Sequence, residues 1–188
     1  MRYNKEKLYD GIEKLNKLIE ENPLPTWEQL PALELYMDQV IILLNQYLKI
    51  FAIGSEADKF ITPPMNNNYV KLKIMPAPVK KKYGKIHLAY LIVICSLKQT
   101  LSMSTIQKII SNDLSEEKVK QIYETFAKSQ KKVLKNTNSQ VKAVTHLISD
   151  NSSESSQNIY ELVIENAISS NLTKLLTEKL ADMQDNND

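Results

Sequence analysis

The stretch ITPPMNNNYVKLKIMPAPVKKKYGKIHLAYL, residues 61–91, decides how the rest of the chain is read. Thr62 is a good helix N-cap, and Pro63 takes the first helical position, where its missing N–H costs nothing. At about 100° per residue, Met65, Tyr69 and Leu72 share one face with Asn68 at its margin. Asn66, Asn67, Val70 and Lys71 take the other. Pro76 and Pro78 stop the helix soon after Lys73, and Val79 to Tyr83 form a stiffened basic arm. Gly84 then opens an apolar helix, 86 to about 101, that is hydrophobic nearly all round over residues 88–95. It has about half the length a bilayer span needs, so it reads as a buried central helix.

Charge is one-sided across this region. Residues 59–112 hold nine lysines and no Asp or Glu, while the remainder holds 15 of the 24 basic and all 22 acidic residues, a net of −7. A basic segment hidden in a chain of formal charge +2 is an electrostatic footprint for a polyanion. On the polar face, Asn66 and Asn67 suit adenine edges and Val70 a thymine methyl. Lys71, Lys73, Lys80, Lys81 and Lys82, with Lys85 beside them, are placed for phosphates. Thr62 caps this helix, and Tyr69 and Tyr83 bring hydroxyls to the backbone while burying their rings. Together these twelve residues are the expected nucleic-acid-binding set.

Two resemblances follow from these residues. Tyr69, the run 72–76 ending in proline, Tyr83, the helix from Lys85, and a helix opened by Ser102 with Met103, Ile106, Ile109 and Ile110 resemble the DNA-binding region of the MerR family. That likeness implies a winged helix-turn-helix with 62–73 as recognition helix and 80–85 as wing. The chain departs from the pattern at Asn67, where arginine is usual, at Lys73, where glycine is usual, and at Asn66, usually apolar. No Asn-Gly or Gly-Gly turn marks the wing as a hairpin. More widely, LPTWEQLPALELYMDQV (24–40), residues 61–83 and HLAYLIVICSLKQTLSMSTIQKII (87–110) resemble domain-of-unknown-function family 1836, which implies no particular activity.

Outside this region the chain reads as helices. An amphipathic helix over 4–21 presents Leu8, Ile12, Leu15, Leu18 and Ile19. Pro23, Pro25 and Pro31 interrupt, Thr26 and Gln29 offer a capping box, and Trp27 is a core anchor. A long helix over 32–51 is the expected first helix of the helix-turn-helix, followed by a loop over 52–59 longer than the usual turn. Ser115 with Glu116 and Glu117 opens a helix to about 135, whose closing lysines, 128, 131, 132 and 135, suit either a helix C-terminus or a polyanion. After the polar NTNSQ (136–140) comes a further helix over 141–148, then a polar loop over 149–158 and a last amphipathic helix over 158–183. The tail from 184 is expected to fray.

Three glycines in 188 residues, scattered singly, exclude a glycine-rich phosphate loop and favour helix. His87 and His146 belong to no metal-ligand spacing, and Cys95 sits alone in the apolar helix. The expectation is therefore not an enzyme, with no metal and no cofactor. A single cysteine and no apolar leader point to a cytoplasmic protein with no membrane span. The fold class expected is all-α: a winged helix-turn-helix-like domain (23–112) with an N-terminal helix (1–22) and a C-terminal helical region (113–188). The function expected is DNA binding, as a MerR-like regulator of double-stranded DNA with an unspecified effector and a homodimer through the C-terminal helices. The alternative is a non-catalytic helical adaptor whose basic patch meets an acidic partner.

Overall fold

The computed structural model describes residues 4–51, 60–110, 113–149 and 155–183. Seven α-helices run through them: α1 (Lys5–Glu21), α2 (Met37–Tyr47, closed by a 3₁₀ turn at Lys49–Phe51), α3 (Pro63–Lys71), α4 (Lys85–Leu97), α5 (Met103–Ile109), α6 (Glu116–Ser149) and α7 (Ser155–Asp182). The described residues contain no strand, only the isolated bridges Leu35–Tyr83 and Val79–Lys82, so the fold is all-α. No described helix is long and apolar enough to cross a membrane.

α4 is the centre. Every residue from 88 to 96 is buried, as all-round apolarity demands, and α2, α6 and the proline-rich arm close over it. That core draws in Leu24, Trp27 and Leu30 from the arm, Val40, Leu44 and Leu48 from α2, Ile74 and Met75 after α3, and Val119 and Tyr123 from α6. Trp27 is the anchor expected: its ring meets Tyr123 edge-on at 6.1 Å. The Tyr123 hydroxyl donates to the Pro25 carbonyl at 2.9 Å. Burial also pushes that hydroxyl well above the usual tyrosine pKa, so it remains a donor. Thr26 N–H donates to Gln29 Oε1 at 2.8 Å, but only a single turn follows, not a helix.

Several boundaries differ from the sequence reading. α2 starts at Met37 rather than 32, because Leu35 exchanges both backbone hydrogen bonds with Tyr83, each 2.9 Å, and is held extended. Tyr36 is then the N-cap, with its N–H donated to Gln39 Oε1 at 2.9 Å. α4 stops at Leu97 and closes in a turn, with Leu101 N–H on the Leu97 carbonyl. α6 does not break at NTNSQ: α1 lies along it, and Asn138 Nδ2 and Lys142 Nζ both reach Glu20 Oε1, at 2.9 and 3.3 Å. A second small core, Ile19, Ile50 and Val141, seals that pairing. The loop over 52–59, residues 150–154 of that over 149–158, and the tail from 184 lie outside the described residues, and the last helix starts at Ser155 rather than 158.

The arm's docking is checked by Tyr123→Phe, which deletes one buried hydrogen bond and leaves the Pro25 carbonyl without its donor. Urea unfolding should show a loss of roughly 1–2 kcal/mol.

Candidate nucleic-acid interface

α3 is built as its ends require. Thr62 Oγ1 accepts the Met65 N–H at 3.4 Å, with Pro63 and Pro64 in the first turn, where no intrahelical donor is needed. Inward it presents Tyr69 and Asn66, both buried, with Met65 and Val70 half-buried against the core. Outward it presents Asn67, Asn68, Lys71 and Leu72. The face reading is thus corrected at Asn66. It is 1% exposed and its Nδ2 donates to the Tyr83 hydroxyl at 2.8 Å, so its amide is turned into the fold and away from the outer face of α3. Asn66 turns inward, where Tyr83, 17 residues on, supplies a buried acceptor for its Nδ2, while its Oδ1 is buried with no partner among the described residues. Asn68, read from the sequence as marginal to the core, is exposed beside Asn67. Val70 is only partly available.

The C-terminus of α3 closes in a Schellman arrangement: Lys73 N–H donates to the Val70 carbonyl and Ile74 N–H to the Tyr69 carbonyl, each at 3.0 Å. Lys73 occupies the left-handed position of that motif, at φ 54°, where glycine is normal. Gln107 Nε2 from α5 donates to the Leu72 carbonyl at 2.8 Å, tying the end of α3 to its neighbour. Sequence reading missed that clamp, since nothing local pairs residue 107 with 72.

The arm does form a tight turn. Lys82 N–H donates to the Val79 carbonyl at 2.9 Å, and Lys80 and Lys81 both lie at positive φ, 49° and 62°. That is the primed hairpin turn, made here with Lys-Lys where Asn-Gly is the favoured pair. Its base is fixed by the Leu35–Tyr83 bridge and by His87. The His87 Nδ1 accepts the Gly84 N–H at 3.2 Å, and its Nε2 donates to the Ala77 carbonyl at 3.3 Å. Those two bonds select the neutral Nε2–H tautomer. The Tyr83 ring packs edge-on to the imidazole at 5.6 Å. Burial holds the His87 pKa below its ordinary 6.5.

Of the lysines in the acid-free region, several are already engaged. Lys85 Nζ donates to the Trp27 carbonyl at 3.2 Å and lies 5.9 Å from the Trp27 ring centre, so it braces the arm and does not extend the wing's charge. Lys82 pairs with Glu34 at 3.8 Å, Lys108 with Asp182 at 2.6 Å, and Lys98 donates to the Phe60 carbonyl. Lys71, Lys73, Lys80 and Lys81 are exposed, and among the described residues none of them has an ion pair. Tyr69 and Tyr83 are both buried and offer no hydroxyl outward, which corrects their expected role at the backbone. Cys95 is buried with its thiol on the Phe60 carbonyl, and burial pushes its pKa up to about 12, which makes it inert.

Among known proteins, the family model described as Domain of unknown function (DUF1836) matches residues 25–126, a span that starts in the docked arm and ends where α6 leaves the main core. No curated protein and no solved structure matches the chain.

Two tests follow from the local geometry. Lys73→Gly removes a strained left-handed lysine and should raise stability by roughly 0.5–1 kcal/mol, net of the extra freedom glycine gives the unfolded chain. For His87, the folded pKa is below the unfolded one. Its stabilisation is therefore complete above 6.5 and is lost as pH falls through the folded value. The thermal midpoint should drop on acidification below 6.5, and His87→Gln, which does not titrate, should flatten that part of the profile.

Proposed function

We propose that this chain, which belongs to the DUF1836 family, is a cytoplasmic DNA-binding protein of MerR-like plan that presents α3 and the Lys80–Lys81 turn to double-stranded DNA. One observation carries the reading. Among the described residues of the acid-free region four lysines have neither an ion pair nor a side-chain hydrogen bond, and three of them, Lys73, Lys80 and Lys81, occupy left-handed backbone positions where glycine or asparagine costs less. Strain of roughly 1–2 kcal/mol at each is retained in positions that project cations from the end of α3 and the tip of the turn.

The order of elements supports the same plan. An extended residue at 35 is followed by α2, the capped α3, a turn that pairs back onto residue 35, then α4, α5 and the long α6. In this reading Lys71, Lys73, Lys80 and Lys81 neutralise phosphates and carry the affinity. Asn67 and Asn68 face base edges, with an amide geometry suited to adenine. Asn66 and Tyr83 position α3 against the turn from behind, Thr62 caps it, and Lys82 adds charge at the rim beside Glu34.

An adaptor role is the second reading, and exposed Leu33, Tyr36 and Ile42 around the start of α2 favour it. Selection of bound fragments from a random duplex pool at near-physiological salt separates the two. A DNA reader should enrich a motif with at least ~10³-fold preference over scrambled duplex. Lys81→Glu should then weaken all duplexes alike by about tenfold, whereas Asn67→Ala should alter the preferred sequence. Lys73→Gly is the sharpest variant, because stability should rise while affinity falls. A folded protein that enriches nothing, or a Lys73→Gly chain that binds DNA unchanged, would turn the reading toward the adaptor.

A further inference from the structure

The middle of α6 carries charge that the fold leaves unanswered. Lys128, Lys131, Lys132 and Lys135 suit a helix C-terminus only if a helix ends beside them, and α6 runs on to Ser149, about four turns past Lys135. The helix dipole therefore gives them nothing. All four are exposed, and among the described residues none of them has an ion pair. α6 has no Asp or Glu beyond Glu124, which pairs with Lys120 at 3.9 Å.

At about 100° per residue the four lysines fall within an arc of about 100° and about 10 Å of helix. They are turned away from Tyr123 and Val141, through which α6 enters the two cores. Lys128 neighbours Lys131 and Lys132, and Lys135 neighbours the same two, at spacings of three and four residues. Each of these like-charge pairs costs helix stability. Three of the lysines, Lys131, Lys132 and Lys135, also line an open groove with Asn138 of α6 and with Glu20 and Pro23 from the end of α1 and the start of the arm. The one carboxylate lining that groove, Glu20, is already held by Asn138 and Lys142.

We infer that this lysine stripe is a second, sequence-independent contact surface for the phosphate backbone of duplex DNA. Charge complementarity selects a polyanion, and what the stripe lacks selects which one. Between residues 128 and 135 the arc holds no aliphatic or aromatic side chain. A protein partner therefore has no apolar anchor to seat there, a bilayer no side chain to take up, and a single strand no ring on which to stack its bases. Lysine is also a flexible point charge rather than a planar fork, which suits phosphates better than carboxylates. A duplex backbone needs only cations along an open groove. The choice of DNA among phosphate duplexes rests on the function proposed above for α3, whereas the stripe itself stands on α6.

Fluorescence anisotropy of a scrambled DNA duplex titrated with the full chain, over a range of salt concentrations, tests it. Lys128→Gln, Lys131→Gln, Lys132→Gln and Lys135→Gln together alter only exposed positions and remove like-charge repulsion, so the urea midpoint should not fall. Affinity at about 0.1 M salt should drop by about tenfold or more, and the slope of log affinity against log salt should shrink by about 2–4. The loss should be the same on any sequence, with the preferred motif unchanged. Lys81→Glu separates the two surfaces. If α3 and the turn are not a DNA reader, Lys81→Glu binds scrambled duplex as the wild type does, while the fourfold variant still loses its affinity. A fourfold variant that keeps the wild-type affinity and slope overturns the inference, as does a wild type with no measurable affinity for duplex DNA at about 50 mM salt. So does a wild type that prefers an RNA duplex of the same sequence, or one whose four lysines matter for phosphatidylserine vesicles and not for DNA.

Discussion

Nine consecutive residues of α4, 88–96, lie out of water, and a helix buried on every side has to be covered on every side. No single neighbour can do that. The cover comes from α2, the first turns of α6, the segment after α3 and the proline-rich arm that carries Trp27. Each large apolar side chain so buried contributes on the order of 1.5–3 kcal/mol, so the positions of these elements follow from α4 rather than from contacts among themselves. The turn at 79–82 leads directly into α4 at Gly84, and α3 packs against α4 through Tyr69. Both parts of the candidate interface therefore inherit their placement from this one helix.

What refines that placement is polar. Leu35 and Tyr83 exchange two backbone bonds, His87 ties Gly84 to Ala77, Asn66 reaches the Tyr83 hydroxyl, and Gln107 holds the last turn of α3. These bonds join α3, the turn and the start of α4 into one unit, so the exposed face is set before any ligand arrives. Such preorganisation limits the ordering cost of binding. Within that rigid unit, three lysines occupy backbone positions that favour glycine or asparagine, and the surrounding bonds over-determine a conformation that they would otherwise leave.

The two helices at the extremes of the chain contrast. α1 is short of core contacts but meets α6 along its length, with Glu20 satisfying both Asn138 and Lys142 and Ile19 meeting Val141. α7 has a broader apolar surface and meets the fold only near its ends. Its apolar ridge advances around the helix at four-residue spacing, so no single fixed side faces the body of the protein.

Helicity, the buried central helix, the Trp27 anchor, the cap at Thr62 and the acid-free region were legible in the sequence, because each rests on composition or on spacing within one element. The candidate site was legible as a region but not residue by residue. α3 is too short for periodicity to separate neighbouring faces, and the acceptor that meets Asn66 inside, the Tyr83 hydroxyl, comes from 17 residues away. Lys82 and Lys85 look identical to Lys80 and Lys81 as letters, and only the packing of Glu34 and Trp27 beside them engages their charge. The NTNSQ run reads as a break until α1 supplies its partners. By itself the sequence determined what kind of elements form and where positive charge gathers, since both depend on neighbours along the chain. Only the tertiary structure decided which side chains remain outward and uncommitted, because that depends on partners distant in sequence that folding brings into hydrogen-bonding range.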